Sequence, residues 1–458
     1  MKPQAIQTDA KNKEEQKMKK LIALLLAALL LMGMAACAAK EATPAPAGTS
    51  DTPAAAEKAE DTGAPAAEES VTITWGLYET DNLTAELWDS VIAAFEADNP
   101  GIKIEKVVAT GDDRPMFWKT LAASGSFPDV LMEANYLASS APNMFAELPS
   151  DTLNLFEEGA LCTYGGKYIT VPYSKQLRMQ VYYNLADYEE LGLSEPETYE
   201  DFVANCAALK AAGKTPLLCG GTGDVWATGQ PWWISVTNQQ IVASDPDFVA
   251  KINNGEKTWL DPVVLDSMST WKELIDAGYY HPGCMSWSYA QAAAEFQNGG
   301  ATMMIDGSWA AAGFDAAGDD RFGVFVLPIP GGLEGYCCPI SYWGVSATST
   351  QPEAAWTFIN WFFSTPEVYG SVLQADGLNS VTKEPVAYEL GPVATKMVSN
   401  LEGLTLYPEI QSMSGDEVID TQIVNETCKA MQLIFTGTDV TEAMQSVQDL
   451  QDMLNASK

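Results

Sequence analysis

Along Val71–Tyr78, VTITWGLY, β-branched and aromatic residues alternate with others at a period of two, the signature of a strand. The next stretch, DNLTAELWDSVIAAFEADNPG, changes period: Leu83, Leu87, Val91 and Phe95 recur at helical spacing until Asn99-Pro100-Gly101 stops the run. IKIEKVV predicts a second strand. After another helical stretch, Phe127-Pro128-Asp129 leads into VLMEANY, a third strand that ends in polar residues. Such alternation predicts a parallel sheet with both faces covered, and ligands of such sheets sit beyond the carboxyl ends of the strands. Tyr78, Glu79, Asp81, Glu133, Asn135 and Tyr136 therefore share one rim. Further on, PETYEDFVANCAALKAAG predicts a helix capped by Thr198 and stopped by Gly213. QPEAAWTFINWFFS puts Ala355, Phe358, Ile359 and Phe362 on one face behind Pro352, and the last helix carries an Ala443, Val447, Leu450, Leu454 stripe. Both stripes read as core.

A different pattern opens the chain. Leu21–Ala36 is apolar, follows Lys17, Lys19 and Lys20, and closes on the small residues Ala35 and Ala36. That is the layout of an export signal removed at a small-residue site, over residues 1–36, and it is shorter than a helix that spans a bilayer unaided. Met18 makes a more ordinary start for it than Met1. MAAC resembles a bacterial lipobox, with Met34 where leucine is usual, so Cys37 is the expected lipidation site. From there to Ser70 the chain is rich in Ala, Pro, Glu, Thr and Gly, a composition that cannot bury enough surface to fold. Residues 37–70 thus read as a tether at the outer face of a membrane.

Charge removes whole classes of partner. The chain has 25 basic and 61 acidic residues, a net charge of −36. A surface of that sign repels nucleic acid and anionic lipid headgroups. The roughly 390 residues beyond the tether exceed what one core usually supports, so two lobes are expected. No second apolar stretch is long enough to cross a membrane. Cys162, Cys206, Cys219, Cys284, Cys337, Cys338 and Cys428 show no CxxC spacing, so no metal or other cofactor is expected, and several are expected to be buried free thiols. His281, the lone histidine, precedes Pro282 and reads as a loop residue, not half of a nucleophilic pair.

The ordered set FPDVLMEANY, YITVPYSKQLRMQVYYN, PETYEDFVANCAALKAAG, FQNGGATMMIDGSWAAAGF, FGVFVLPIPGG, WGVSATSTQPEAAWTFINWFFSTPEV and LIFTGTDVTEAMQSVQDLQDML resembles the extracellular solute-binding proteins of ABC importers, family 1, the maltose-binding type. The resemblance covers nearly everything after the tether. It implies an α/β, two-lobed periplasmic-binding-protein-like fold of type II, each lobe a sheet flanked by helices and joined by a hinge. Lobe 1 would hold 71–174 and 336–380, lobe 2 175–335 and 381–458, with crossings at VPYSKQ, at Pro330–Tyr336 and near Ser380. It also implies a monomer that captures a carbohydrate by closure and delivers it to an ABC permease, with no bond made or broken.

A sugar offers hydroxyls around its edge and apolar C–H faces, which suits carboxylates and amides beside planar rings. Trp309 in DGSWA aligns with the family's stacking aromatic, and Asp224 and Trp226 in GTGDVWATG fall where the family places second-lobe contacts. Trp232 and Trp233 nearby read as packing. Tyr78, Glu79, Asp81, Glu133 and Asn135 are the first-lobe candidates. Gln176 occupies the place of an acidic sugar contact and, as an amide, argues against the same ligand. Trp343 in PISYWGVS is preferred over Tyr342. Two alternatives stay open: the same fold binding a polyamine, metal chelate or peptide, and an exported glycoside hydrolase using paired carboxyls.

Overall fold

The strand signals condense into two sheets that share no strand. In the computed structural model, which describes residues 70–110, 114–223, 225–316, 321–332, 335–410, 414–415 and 418–457, the strands are β1 Val71–Leu77, β2 Ile102–Val108, β3 Val130–Leu131, β4 Val171–Lys175, β5 Gln180–Asn184, β6 Leu217–Leu218, β7 Met303–Asp306, β8 Phe322–Phe325, β9 Gly335–Cys337, β10 Ile340–Val345 and β11 Thr405–Tyr407. The export signal, the tether with Cys37, and Asp224 lie outside the described residues. One sheet has the order β2-β1-β3-β10-β4, the other β6-β7-β5-β8, and β9 pairs with β11 in a separate ribbon.

β1 runs parallel to β2 in full register, Val71 opposite Ile102 through Leu77 opposite Val108, and parallel to β3 on its other side. β10 is antiparallel to both β3 and β4. Gly76 in β1 is required, because a Cβ there would sit 2.7 Å from Pro128 Cγ and 2.9 Å from Leu131 Cδ1. The third strand is shorter than VLMEANY predicts. Pairing ends at Leu131, Glu133 takes the left-handed conformation (φ 59°), and the chain turns into a short helix, Asn135–Ala138. Nothing in the local sequence announces this, since no glycine marks the positive φ.

Helix boundaries follow their caps. Thr84 accepts from Leu87 N–H at the start of Ala85–Asp98, whose buried face is Trp88, Val91 and Phe95. Thr198 and Asp201 form a reciprocal capping box on Tyr199–Ala211, and Gly213 follows in the left-handed conformation (φ 81°). Pro352 opens Pro352–Ser364, which buries Ala355, Phe358, Ile359 and Phe362. In Val440–Ala456 the stripe is buried through Ala443 and Val447.

Each sheet has its own apolar core. The first gathers Ile73, Trp75, Trp88, Val91, Phe95, Trp343, Phe358, Phe362 and Tyr369. The second gathers Val181, Trp232, Trp233, Trp259, Trp271, Ile305, Met431 and Met444. Trp232 and Trp233 are buried where an α-helix passes into the π-helical Trp233–Thr237. Each such buried side chain contributes about 1.5–3 kcal/mol relative to exposure. The chain passes between the sheets at 176–179, again between β8 and β10, and again after Asn379, which pairs with Lys175. Among the described residues no helix is long and apolar enough to cross a membrane.

Candidate functional site

On the first lobe the carboxyl ends of β1 and β3 present Tyr78 and Glu133. Glu133 is 8% exposed and receives a fork from Arg114, whose Nε lies 2.9 Å from Oε2 and whose Nη2 lies 2.7 Å from Oε1. Burial works against the Arg114 charge, but Glu133 outweighs it and raises the guanidinium pKa. The same guanidinium lies 4.3 Å above the Tyr78 ring. Burial first, then Glu133 and Asp376, push the Tyr78 hydroxyl well above its ordinary range, so it remains a donor. The left-handed turn at Glu133 is what points this carboxylate back to Arg114, a strained backbone of the kind found at functional sites.

On the second lobe β7 delivers Asp306, and the 3₁₀ turn Ser308–Ala310 lifts Trp309 off the end of the strand. Gly307 lies under the indole, where a Cβ would overlap the ring. The polar edges form a relay: Trp309 Nε1 donates to Tyr289 Oη at 2.8 Å, and Tyr289 Oη donates to Asp306 Oδ2 at 2.9 Å. Burial pushes Asp306 up to about 7, against the bonds from Gly307 N–H and Tyr289 that favour its charge. Trp226 starts the helix Trp226–Trp232 and meets Trp309 edge to face at 6.1 Å and Tyr289 at 4.9 Å. The glycine-rich loop before it lets the backbone close in: Gly221 N–H donates to Trp287 O, and a Cβ on Gly220 would press on Tyr289 N at 3.0 Å.

The two halves face each other. Asn82 Nδ2 donates across to Trp309 O at 2.9 Å and to Asp376 Oδ1 at 3.1 Å. Gly377, at φ 59°, packs on the Ser308 carbonyl, where any Cβ would clash. Asp376 is pushed up to about 6 by burial, against the Asn82 bond and the two nearby arginines. Between the halves stands Arg178, from the first crossing, 5.3 Å over the Trp309 ring. Its Nε is 3.7 Å from Glu409 Oε2.

Of the residues expected from sequence, the structure brings together Tyr78 and Glu133 on one wall and Trp226 and Trp309 on the other. Glu79 is exposed and lies 3.7 Å from Lys106, and Asp81 is exposed. Asn135 opens its short helix, half-buried. Gln176 lies in the crossing, where its amide donates to Ser341 Oγ at 3.3 Å. Trp343 is placed differently from the expectation. It is 0% exposed, stacked on Tyr173 at 5.1 Å and against Phe362 at 4.8 Å, so it belongs to the first-lobe core; Tyr342 is buried too, donating to Ala160 O. His281 stacks on Trp287 at 4.6 Å and accepts from Gly283 N–H, a loop-stabilising role.

Sequence reasoning missed Asn82, Arg114, Arg178, Tyr289, Asp306, Asp376 and Glu409. One signal was present: the chain has only three arginines, Arg114, Arg178 and Arg321, and two of them stand in this cleft. Among the described residues no group of three or more His, Cys, Asp or Glu side chains is placed to hold a metal ion. Among the described residues Cys206, Cys219, Cys284, Cys337, Cys338 and Cys428 are buried free thiols. A cavity of about 440 Å³ lies elsewhere, lined by Pro142, Phe145, Tyr164 and Lys167 among others. The aromatic cleft itself is shut by the Asn82 and Gly377 contacts.

The architecture is that of the two-lobed, type II solute-binding proteins. It superposes on a chitin oligosaccharide binding protein with a TM-score of 0.72 and 25% identity, covering 85% of this chain and all of that one. A raffinose complex of the solute-binding protein RafE gives 0.68 at 21% identity, covering 84% and 100%. The chain belongs to the family of bacterial extracellular solute-binding proteins, whose model matches residues 80–368. It is 27% identical over 250 residues to the multiple sugar-binding protein of Streptococcus mutans, 53% of this chain and 58% of that protein, so the match spans less than two thirds of that relative's length. It is 22% identical over 384 residues to an ABC transporter extracellular-binding protein of Pyrococcus horikoshii, covering 78% and 84%.

Proposed function

We propose that this protein captures an uncharged mono- or oligosaccharide between its lobes and hands it to an ABC permease, while Cys37 and the tether hold it at the outer face of the membrane as a monomer. The single observation that carries the carbohydrate reading is the Trp309 platform. A half-buried indole is fixed at its edge by Tyr289, backed by Gly307 and flanked by Trp226 at the end of a strand. An indole so held offers a flat apolar face to a C–H face of a sugar, while Tyr289, Glu133 and the arginines supply groups for hydroxyls. The names of the structural neighbours and of the streptococcal relative support it. Arg114 and Arg178 in mid-cleft weigh against a polyamine. No catalysis is required of the carboxylates, since Glu133 is committed to Arg114 and Asp306 to Tyr289. Closure would turn about the three crossings, with lobe 1 as 71–174 and 336–380 and lobe 2 as 175–335 and 381–458.

A thermal-shift screen of the purified protein tests this, because a ligand that binds only the folded form raises apparent stability. The panel is galactose, raffinose, stachyose, xylobiose, N,N′-diacetylchitobiose, spermidine and a tripeptide. A saccharide is expected to give the largest rise. A response confined to spermidine or the peptide would overturn the reading.

A further inference from the structure

Arg178 covers the ring on which the saccharide is read to stack. Its guanidinium lies 5.3 Å from the centre of the Trp309 indole, a favourable cation–π placement. In that position it pairs with a second group by charge alone, without a hydrogen bond. Glu409 is 0% exposed, and neither of its carboxylate oxygens has a hydrogen-bond partner; Arg178 Nε has none either. The two are 3.7 Å apart at Nε and Oε2, too far for a hydrogen bond. A buried carboxylate without a single hydrogen bond is costly to maintain. Its backbone is not loose: Asn238 accepts from Ile410 N–H at 2.7 Å and donates to Pro408 O at 3.3 Å, fixing both sides of Glu409. The fold therefore holds a rigid carboxylate, ion-paired with Arg178 at 3.7 Å but with no hydrogen bond, one short step from an arginine parked on an aromatic face.

We propose that Arg178 is a ligand-displaced cap on Trp309, and that Glu409 is the receiver onto which the guanidinium moves when a neutral ring takes its place on the indole. This rests on the reading of Trp309 as the saccharide platform. The exchange replaces one cation–π contact by a guanidinium–carboxylate fork, the stronger arrangement, and lets the ligand stack without leaving a bare indole in its absence. It also makes the site selective: a cationic ligand gains little where an arginine already serves the ring and remains beside it. Residues facing the pair include Tyr136 from the first lobe and Cys337 from β9, so closure from either side is felt at this point.

Calorimetric titration of the full mature chain tests the exchange, using as probe whichever of galactose, raffinose, xylobiose and N,N′-diacetylchitobiose binds the wild type most tightly. Glu409→Gln weakens the receiver and is expected to lower affinity at least tenfold, measured at a temperature where the unliganded variant is folded, since the change also takes the counter-charge from Arg178 and lowers the melting temperature. Arg178→Met removes the cap and is expected to bind at least as tightly as the wild type. The Arg178→Met/Glu409→Gln double variant, which leaves no buried unpaired charge, is expected to match it, because the loss at Glu409 requires the arginine. Wild-type affinity in Glu409→Gln, or the same tenfold loss in the double variant, would overturn the exchange while leaving the carbohydrate reading intact. Absence of binding to all four probes by the wild type would remove the carbohydrate reading and this exchange with it.

Discussion

Trp309 and Trp343 read alike in sequence, each an indole within two positions of a glycine and near a strand, yet they end in opposite settings. Trp343 lies inside β10, between Tyr173 and the Pro352–Ser364 helix, with no exposed surface. Trp309 lies just past the last residue of β7, half-buried, with its Nε1 bonded and a guanidinium on its face. What separates them is a distance of a few residues along a strand. A ring within a central strand faces the layer that covers the sheet, and a ring beyond the carboxyl end faces the crevice where such folds bind ligands. Even the indole nitrogens differ in kind: that of Trp343 is buried with no hydrogen-bond partner, as suits a residue kept for volume, whereas that of Trp309 is oriented by Tyr289.

The contrast can be broken most forcefully at the core. Trp343→Ala should cost about 3–5 kcal/mol, read as a lower denaturation midpoint, with the folded protein still responding to saccharide. Loss of the response at unchanged stability would move Trp343 back to the site. Trp309→Ala should do the reverse, weakening saccharide binding by a factor of ten or more, about 1.4 kcal/mol, with a smaller change in melting temperature of the ligand-free protein. Equal loss of stability in the two variants would erase the distinction.

Asp306 sharpens the picture through pH. Its carboxyl is pushed up to about 7 in the folded protein, above its unfolded value, so the native state holds the extra proton between roughly pH 4 and 7. Its contribution to stability is therefore greatest at low pH and is lost as pH rises through 7. Asp306→Asn keeps one acceptor oxygen, for Gly307 N–H, turns its amide N–H toward Tyr289 Oη, and removes that loss. The variant should gain stability over the wild type at pH 8 and gain less at pH 5, by thermal melts in matched buffers. A pH-independent difference would show that Asp306 does not carry the proton. The smallest effect belongs to Asn82→Ala, which removes the amide bridging Trp309 O and Asp376. A net hydrogen bond is worth about 1 kcal/mol, so saccharide should dissociate roughly fivefold faster by stopped flow, with little change in association. An unchanged dissociation rate would mean that this bridge does not hold the lobes.

Much of the scaffold was legible because it rests on local rules. Thr84 and Thr198 cap where the pattern says they should, and the Phe358, Phe362 stripe faces the core. β3 was overextended because Glu133, with no glycine to signal it, adopts the left-handed conformation that turns its carboxylate to Arg114 on a separate element. The cleft was half legible. Tyr78, Glu133, Trp226 and Trp309 stand at strand or helix ends and could be found from element boundaries. Asn82, Arg178, Asp376 and Glu409 could not, since each acquires meaning only from a partner far along the chain: Asn82 meets Asp376 across 294 positions. A lone charge in a loop reads as solvated until the fold supplies what it faces.

The most direct test is a crystal structure of the protein grown with the saccharide that gives the largest thermal shift. The ring should lie flat on Trp309, with Tyr78 and Glu133 across the cleft and Arg178 drawn onto Glu409. A saccharide bound elsewhere, with the guanidinium still seated on the indole, would contradict the account.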